Sequence, residues 1–133
     1  MSKIYLAGPS SRREELLKYR EDLINFNHEV VSRWLDGNDK EDTQEERNFA
    51  ATKDLVDCLE CTWFILFTPS LTTSGGAWVE FGYILGLERW SEVGRIRRKI
   101  SIIGESTNIF IDLIASNEHY VSWENFIRRN FFV

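Results

Sequence analysis

The sequence predicts an α/β fold in which a doubly wound, five-stranded parallel sheet lies between two layers of helices. Short apolar runs alternate with longer amphipathic runs along the whole chain, and this alternation is typical of β-α-β units with right-handed crossovers. Turns rich in Gly, Pro and Ser separate many of the runs. A length of 133 residues with 43% apolar residues suits one hydrophobic core. We therefore expect residues 1–133 to form a single domain.

The first β-α-β unit starts at the N-terminus. Ile4–Ala7 is an apolar run that predicts a strand, and it ends at the turn Gly8–Ser11, whose serines are candidate helix caps. The helix that follows is predicted to run to about Asn27, because apolar residues recur at helical spacing at Leu16, Leu17, Leu23 and Ile24. Residues 29–34 then predict a second, shorter strand.

A polar segment, residues 36–47, separates this unit from the next helix. It contains one Gly and no core residue. A polar segment of this length could act as a lid or be partly mobile, and the sequence does not decide between the two. The second helix is predicted from about Thr43 to Leu59. Its last turns place Leu55, Cys58 and Leu59 on one apolar stripe.

The remaining elements continue the alternation. Residues 63–68 predict a buried third strand that stops at Pro69, and residues 77–88 predict a helix. A fourth strand at 100–104, a short helix at 108–115, an edge strand at 118–121 and a closing helix at 123–131 complete the chain. Five strands in a chain of this length match a flavodoxin-like, three-layer sheet of order 2-1-3-4-5. Ligands bind at the switch point of such sheets, here between Gly8–Arg12 and Ser70–Glu80.

Composition narrows the classes of function. A net charge of −5 argues against general nucleic-acid binding. The chain has no apolar run of 18 residues and no leader-like N-terminus, so we expect neither a membrane span nor export. Cys58 and Cys61 have C-x-x-C spacing, but only two His accompany them, so we interpret them as small buried hydrophobic residues rather than a zinc or redox pair. A cytoplasmic protein is expected.

The segment Gly75-Gly76-Ala77-Trp78-Val79-Glu80 is the most informative one for chemistry. A glycine pair between a strand and a helix lets backbone N–H groups approach a ligand, and Glu80 is expected in the first helical turn that follows. Neither crevice loop contains a dinucleotide-binding or P-loop motif, and no set of metal ligands appears there, so no cofactor or metal is predicted. The polar groups expected in the crevice are Tyr5, Ser10, Ser11, Arg12, Ser74, Glu80 and Asp54.

Two carboxylates without a metal suggest glycosyl chemistry. One attacks the anomeric carbon and the other manages protons, at a separation of about 5–5.5 Å in retaining enzymes. Asp54 lies about 90° from the apolar stripe of the second helix, a boundary position able to reach a cleft, whereas Asp57, at about 150°, is expected to face water. Asp54 as a surface acid, and Glu80 as an acid favoured by the helix dipole, remain the alternatives.

The segments Ile4–Pro9, Asp54-Leu55 and Gly76-x-x-x-Glu80-x-Gly82, in this order, resemble the nucleoside 2-deoxyribosyltransferase family, which includes the 2'-deoxynucleoside 5'-phosphate N-hydrolases. Residues 29–35 and 108–110 are similar to a short branch of the family. The resemblance covers nearly the whole chain. It implies an enzyme that cleaves the N-glycosidic bond of a 2'-deoxynucleoside or its 5'-monophosphate through a covalent deoxyribosyl-Glu80 intermediate, passed to another base or to water.

The resemblance also implies residue roles. Glu80 would be the nucleophile, Asp54 would orient or exchange protons, and Tyr5 would position Glu80. Gly8 would form the floor of the first loop, and Trp34 would lie beside the base. The chemistry of the crevice itself, apart from the resemblance, indicates that Ser10, Ser11, Arg12, Ser74 and the backbone at Gly75 and Gly76 would hold hydroxyls or a phosphate. Asn108 matches a position that reaches into a neighbouring subunit, so a homodimer or larger homo-oligomer would follow.

Two departures leave the substrate open. Transferases of free nucleosides tend to have Asp six residues before the nucleophile, where this chain has Ser74, as the monophosphate hydrolases do. Those hydrolases tend to have Ser directly after the first-loop Gly, where this chain has Pro9. A small-molecule nucleoside or nucleotide is the expected partner in either case. The alternative from another class is a non-catalytic nucleotide-binding or sensing module with the same crevice.

Overall fold

The computed structural model describes residues 1–69, 75–90 and 97–132. The strands are β1 (Lys3–Ala7), β2 (Glu29–Val30), β3 (Trp63–Phe67), β4 (Lys99–Ile103) and β5 (His119–Tyr120). The helices are α1 (Arg13–Asn25), α2 (Gln44–Glu60), α3 (Gly76–Trp90) and α4 (Trp123–Phe131). Short 3₁₀ helices occur at Ser10–Arg12, Arg33–Asp36, Ile109–Leu113 and Ser116–Glu118.

The five strands form one parallel sheet of order β2-β1-β3-β4-β5. This confirms the predicted flavodoxin-like topology. β1 and β3 lie at the centre and pair from Ile4 with Trp63 to Ala7 with Leu66. Both strands are almost completely buried, which explains why their sequences are continuous apolar runs rather than alternating ones.

Alternate residues of the central strands pack into two separate hydrophobic cores, one on each face of the sheet, as expected for a sheet covered on both faces. On one face Tyr5, Phe64 and Ile102 pack against Cys58 of α2 and Phe81 of α3. The other core is formed with α1 and α4 by Ile4, Leu6, Ile65, Phe67, Leu16, Leu23, Trp123 and Phe126. The three-layer prediction is therefore confirmed, with α2 and α3 in one layer and α1 and α4 in the other.

The second strand is shorter than predicted. Beyond Val31, whose N–H still donates to the Ile4 carbonyl, side chains replace the backbone partners of β1. The Leu6 N–H donates to the Ser32 hydroxyl at 3.1 Å, and the Trp34 indole N–H donates to the Leu6 carbonyl at 2.9 Å. Since side chains satisfy both polar groups of Leu6, the ladder ends and the chain turns into the 3₁₀ helix Arg33–Asp36.

The helix at 108–115 is also different, because the structure has only the 3₁₀ helix Ile109–Leu113 there. Its N-cap is Asn108, whose side-chain oxygen accepts the Phe110 N–H at 2.9 Å. The closing helix coincides with its prediction. Cys58 and Cys61 are free and buried, which confirms their interpretation as small core residues.

The buried stripe of α2 is rotated from the predicted one. Asp57, expected to face water, is 1% exposed, whereas Leu59, expected in the stripe, is 42% exposed. The prediction was wrong because it treated Asp57 as an unpaired charge. Its carboxylate accepts hydrogen bonds from the backbone N–H and guanidinium of Arg33, and a paired charge can be buried.

Candidate active site

A cavity of about 310 Å³ lies at the carboxyl ends of β1 and β3, where open parallel sheets bind ligands. The first loop, α1, the segment from Trp34 to Glu41, α2 and α3 all contribute to it. The described residues that line it are Gly8, Ser10, Arg13, Trp34, Gly37, Asp39, Glu41, Ala50, Asp54, Gly76, Ala77 and Glu80. Gly8 and Ser10 of the first predicted loop thus line one cavity with the described residues Gly76, Ala77 and Glu80 of the second, and Asp54 and Glu80 face the same space.

Glu80 projects into this cavity from α3. The helix begins at Gly76, one residue earlier than expected, and has no acidic residue in its first turn. Glu80 therefore lies beyond the first turn, and our expectation of a first-turn acid was wrong. The helix dipole weakens beyond that turn, so it does little to favour a charge here. Burial raises the pKa of Glu80 to about 8, and the Asp54 carboxylate adds to the rise.

Asp54 lines the cavity from α2. The boundary position predicted for it was measured from an apolar stripe that is rotated in the structure. Its Oδ1 atom is buried and has no hydrogen-bond partner among the described residues. Burial raises the pKa of Asp54 to about 6, the Asp39 carboxylate raises it further, and the Lys53 ammonium opposes the rise. An unpaired, buried carboxyl oxygen is costly for a fold, so this arrangement points to chemistry rather than stability.

Tyr5, on β1, is fully buried and is not among the described residues that line the cavity, but it is close enough to interact with Glu80 and Asp54. Its hydroxyl is buried without a hydrogen bond of standard geometry to any described residue. Burial and the nearby Glu80 carboxylate raise the pKa of Tyr5 well above its usual value, so the hydroxyl stays protonated. That hydroxyl favours the ionised form of Glu80 and so partly offsets the rise in its pKa.

The two carboxyls titrate as a pair. With pKa values of about 6 and about 8, the pair keeps one proton at neutral pH and carries one negative charge. A carboxylate beside a carboxylic acid supplies a nucleophile and a proton donor in one cavity. This is the division of labour that glycosyl transfer needs.

The floor and wall of the cavity are made by small and aromatic residues. A Cβ added at Gly76 would have no neighbour within 4 Å, so the cavity is open above this backbone and a ligand could approach it closely. Trp34 forms a wall, held by its indole bond to the Leu6 carbonyl. Gly8 and Ser10 also line the cavity.

Six cavity residues were not predicted: Arg13, Gly37, Asp39, Glu41, Ala50 and Ala77. Gly37 adopts φ of 71° and ends the 3₁₀ helix, and a Cβ there would lie 2.6 Å from the Arg13 guanidinium. The lone Gly in the polar segment was the available signal for this left-handed turn. Asp39 forms an ion pair with Lys53 of α2, a contact that spacing along the chain does not reveal.

Several predicted binding residues lie elsewhere. Ser11, Arg12 and Gly75 are not among the described residues that line the cavity. Arg12 pairs with Glu15 at 2.7 Å and stacks on the Phe67 ring. Ser74 lies outside the described residues. The binding roles of all these side chains, and of the cavity residues, stay predictions.

Asn108 borders a different depression, an apolar groove of about 400 Å³ on the far side of α3. We call it the α3 groove. Its described lining residues are Trp78, Val79, Phe81, Gly82, Leu85, Gly86, Arg89, Asn108, Phe110 and Leu113. Val79 of α3 and Phe110 of the 3₁₀ helix Ile109–Leu113 are 64% and 56% exposed, so the groove presents contiguous apolar surface to solvent.

Among residues 1–69, 75–90 and 97–132, no three His, Cys, Asp or Glu side chains are grouped so as to hold a metal ion. None of the described helices is both long enough and apolar enough to cross a bilayer.

Comparison with known proteins gives structural matches only. The sequence matches no protein-family model and no curated protein. The structure is similar to a 2-deoxyribosyltransferase from Bacillus psychrosaccharolyticus, with a TM-score of 0.71 and 19% identity over 97% of this chain and 93% of that one. It is also similar to a CMP N-glycosidase from Clostridium botulinum, with a TM-score of 0.55 and 19% identity over 96% of each chain. The fold that the sequence resemblance implied is thus confirmed over nearly the whole chain.

Proposed function

We propose that this protein is an enzyme of the nucleoside 2-deoxyribosyltransferase type, which cleaves the N-glycosidic bond of a 2'-deoxynucleoside or its 5'-monophosphate. The observation that carries the proposal is the half-buried carboxyl pair Asp54 and Glu80, which faces one cavity at the switch point of the sheet. Support comes from the fold shared with two proteins whose names describe deoxyribosyl transfer and N-glycosidic cleavage.

The proposed first step forms a bond between a Glu80 oxygen and C1' while the C1'–N bond breaks. The electron pair of the C1'–N bond leaves with the base nitrogen, which takes up the proton held by the carboxyl pair. Transfer of that proton from Glu80 to Asp54 supplies the nucleophile and the acid together, since the pair holds one proton at neutral pH. Tyr5 favours ionised Glu80 and so helps this transfer.

In the second step, water or another base attacks C1' and releases Glu80 as a carboxylate. The incoming group loses its proton to Asp54, which restores the resting pair. Retention at C1' follows from two successive displacements. The Trp34 wall would stack on the base, and the open backbone at Gly76 would accommodate the sugar or phosphate.

A product assay tests the proposal. The protein is incubated with 2'-deoxynucleosides, their 5'-monophosphates and CMP, with and without an added acceptor base, and free and exchanged bases are separated by chromatography. We expect release of free base, exchange of base, or both, and Glu80→Gln as the inactive control. Thermal stabilisation by a nucleotide with no released or exchanged base from any substrate would instead support the non-catalytic binding module.

The α3 groove supports a proposed homodimer. Glu80 faces the cavity while its neighbour Val79 lies in the groove, so a second copy seated on the groove would approach the substrate site. Asn108 borders the same groove and is the residue expected to reach across. Sedimentation velocity should show a dimer that Phe110→Asp converts to monomer, and a monomeric wild-type protein at about 100 μM, above typical homodimer affinities, would contradict this part.

A further inference from the structure

Asp57 is the only acidic or basic side chain that is fully buried in the part of the chain described by the structure, at 1% exposure. It lies on α2, one helical turn after Asp54. A buried carboxylate destabilises a fold unless its partners are well placed. The role of Asp57 therefore depends on its hydrogen-bond partners and on the segment of the chain to which they belong.

The partners of Asp57 all belong to Arg33. The backbone N–H of Arg33 donates to the Asp57 carboxylate at 3.0 Å, and its guanidinium donates through Nε at 2.9 Å and pairs through Nη2 at 2.7 Å. The Asp57 carboxylate thus binds both the backbone N–H and the guanidinium of Arg33. Because it contacts two separate parts of Arg33, it fixes the position and orientation of that residue more than an ordinary ion pair does.

Arg33 begins the 3₁₀ helix Arg33–Asp36, which carries the Trp34 wall of the cavity. On its other side this short helix is tied to β1 through the Trp34 indole and the Ser32 hydroxyl, which bond the two polar groups of Leu6. Besides the exposed ion pair of Asp36 with Arg20, the segment is therefore fixed at two points. One is the end of the strand that bears Tyr5, and the other is Asp57, on the helix that bears Asp54.

We propose that Asp57 is a positioning residue, which sets the distance between the Trp34 wall and the Asp54–Glu80 pair and thereby the fit of the base. This inference rests on the proposed function for its readout. α2 has 17 residues and a capping box, whereas the 3₁₀ helix has four residues and no side-chain cap. When the Asp57–Arg33 contact is removed, we expect the 3₁₀ helix to move rather than α2. Substrate binding should therefore weaken more than the chemical step slows.

The test is steady-state kinetics of Asp57→Asn on the substrate that the wild-type protein cleaves. We expect KM to rise by about 10-fold while kcat changes by less than about 3-fold, the signature of lost binding that is common to ground and transition states. Asp36→Asn is the matched control, because it breaks the exposed pair with Arg20 on the same 3₁₀ helix and should leave both constants unchanged.

A double-mutant cycle separates positioning from a general loss of structure. In a Trp34→Phe background the wall has already lost its indole bond, so Asp57→Asn should raise KM by less than about 2-fold there. An equal KM increase in both backgrounds, or a wild-type KM in Asp57→Asn, would overturn the inference. If Asp57→Asn does not fold, Arg33→Lys keeps the charge but loses the guanidinium geometry, and the same KM signature and the same contradicting outcome apply to it.

Failure of the inference is distinguishable from failure of the proposed function. A wild-type protein that releases or exchanges base, together with an unaffected Asp57→Asn, contradicts only the positioning role. A wild-type protein that cleaves no substrate contradicts the proposed function itself and, with it, the inference that rests on it.

Discussion

The two sides of α3 differ in chemistry more than in size. The α3 groove measures about 400 Å³ and is lined mainly by apolar side chains, whereas the carboxylate cavity measures about 310 Å³ and contains Asp54 and Glu80 with raised pKa values. The larger depression therefore suits a protein surface, and the smaller one suits a reaction. The perturbed carboxyls, rather than volume, distinguish the two.

The largest expected effect comes from the nucleophile. Glu80→Gln should lower turnover at least about 1000-fold, because an amide cannot form the glycosyl ester. Base release measured by chromatography checks this. Glu45→Gln changes an exposed glutamate at the start of α2 and should retain wild-type turnover. Wild-type turnover in Glu80→Gln would contradict the assignment of the reaction to the carboxylate cavity rather than to the α3 groove.

The second prediction concerns Asp54. Asp54→Asn should lower turnover about 100-fold through loss of the proton donor. It should also change the pH profile. The wild-type kcat/KM should be bell-shaped, with limbs near the pKa values of about 6 and about 8.

In Asp54→Asn the basic limb should disappear, because Glu80 is the one remaining carboxyl of the pair. The surviving acidic limb should report a Glu80 pKa lower than about 8, since the Asp54 charge no longer raises it. A basic limb that persists unchanged in the variant would assign the acid role to another group.

The third prediction is a gain in stability. The pKa of Glu80 is about 8 in the folded protein and 4.5 ordinarily, so the folded state binds the proton more tightly than the unfolded state. Its contribution to stability is present at low pH and is lost as pH rises from about 4.5 towards about 8. Glu80→Gln should therefore be more stable than wild type by about 1–3 kcal/mol at pH 8 and gain little at pH 4.

Urea denaturation at the two pH values measures this difference. Glu45→Gln serves again as the control, since its carboxyl is exposed. An equal gain at both pH values would mean that the glutamine packs better, and that the charge of Glu80 is not the cause.

The smallest expected effect comes from the loss of a helix cap that lies far from the carboxyl pair. Thr43 and Glu46 form a capping box at the start of α2, with bonds of 3.1 Å and 3.0 Å. Thr43→Ala should lower the free energy of unfolding by about 1 kcal/mol and leave the pH profile unchanged. Thr52→Ala, on the exposed face of the same helix, is the matched control and should be nearly neutral. A shifted pH profile in Thr43→Ala would show that the α2 N-terminus affects the carboxyl pair.

Sequence periodicity predicted the scaffold well because the central strands are buried on both faces. Apolar runs such as Trp63–Phe67 have few alternatives to a core strand, and their order along the chain then restricts the topology. Since Asp54 and Glu80 sit at fixed positions on helices that this topology places side by side, their common cavity could also be predicted.

The missed features depend on long-range pairing, which spacing along one helix cannot show. Asp57 is buried because Arg33, 24 residues earlier, reaches it. β2 ends early because Ser32 and Trp34 satisfy Leu6. A pattern-based prediction assumes that backbone groups pair with β1 along a strand and that water solvates a charge on a helix surface. In both cases here, a contact from a distant residue replaced the assumed partner.

The central claim is that Glu80 forms a covalent bond to the sugar, and mass spectrometry of an acid-quenched reaction tests it most directly. The protein is mixed with the deoxynucleoside or monophosphate that it cleaves, in the absence of acceptor base, then digested and sequenced. We predict a deoxyribosyl or deoxyribosyl-phosphate adduct on the peptide that contains Glu80, absent from Glu80→Gln. Base release with inversion at C1' and no adduct on any peptide would contradict the account.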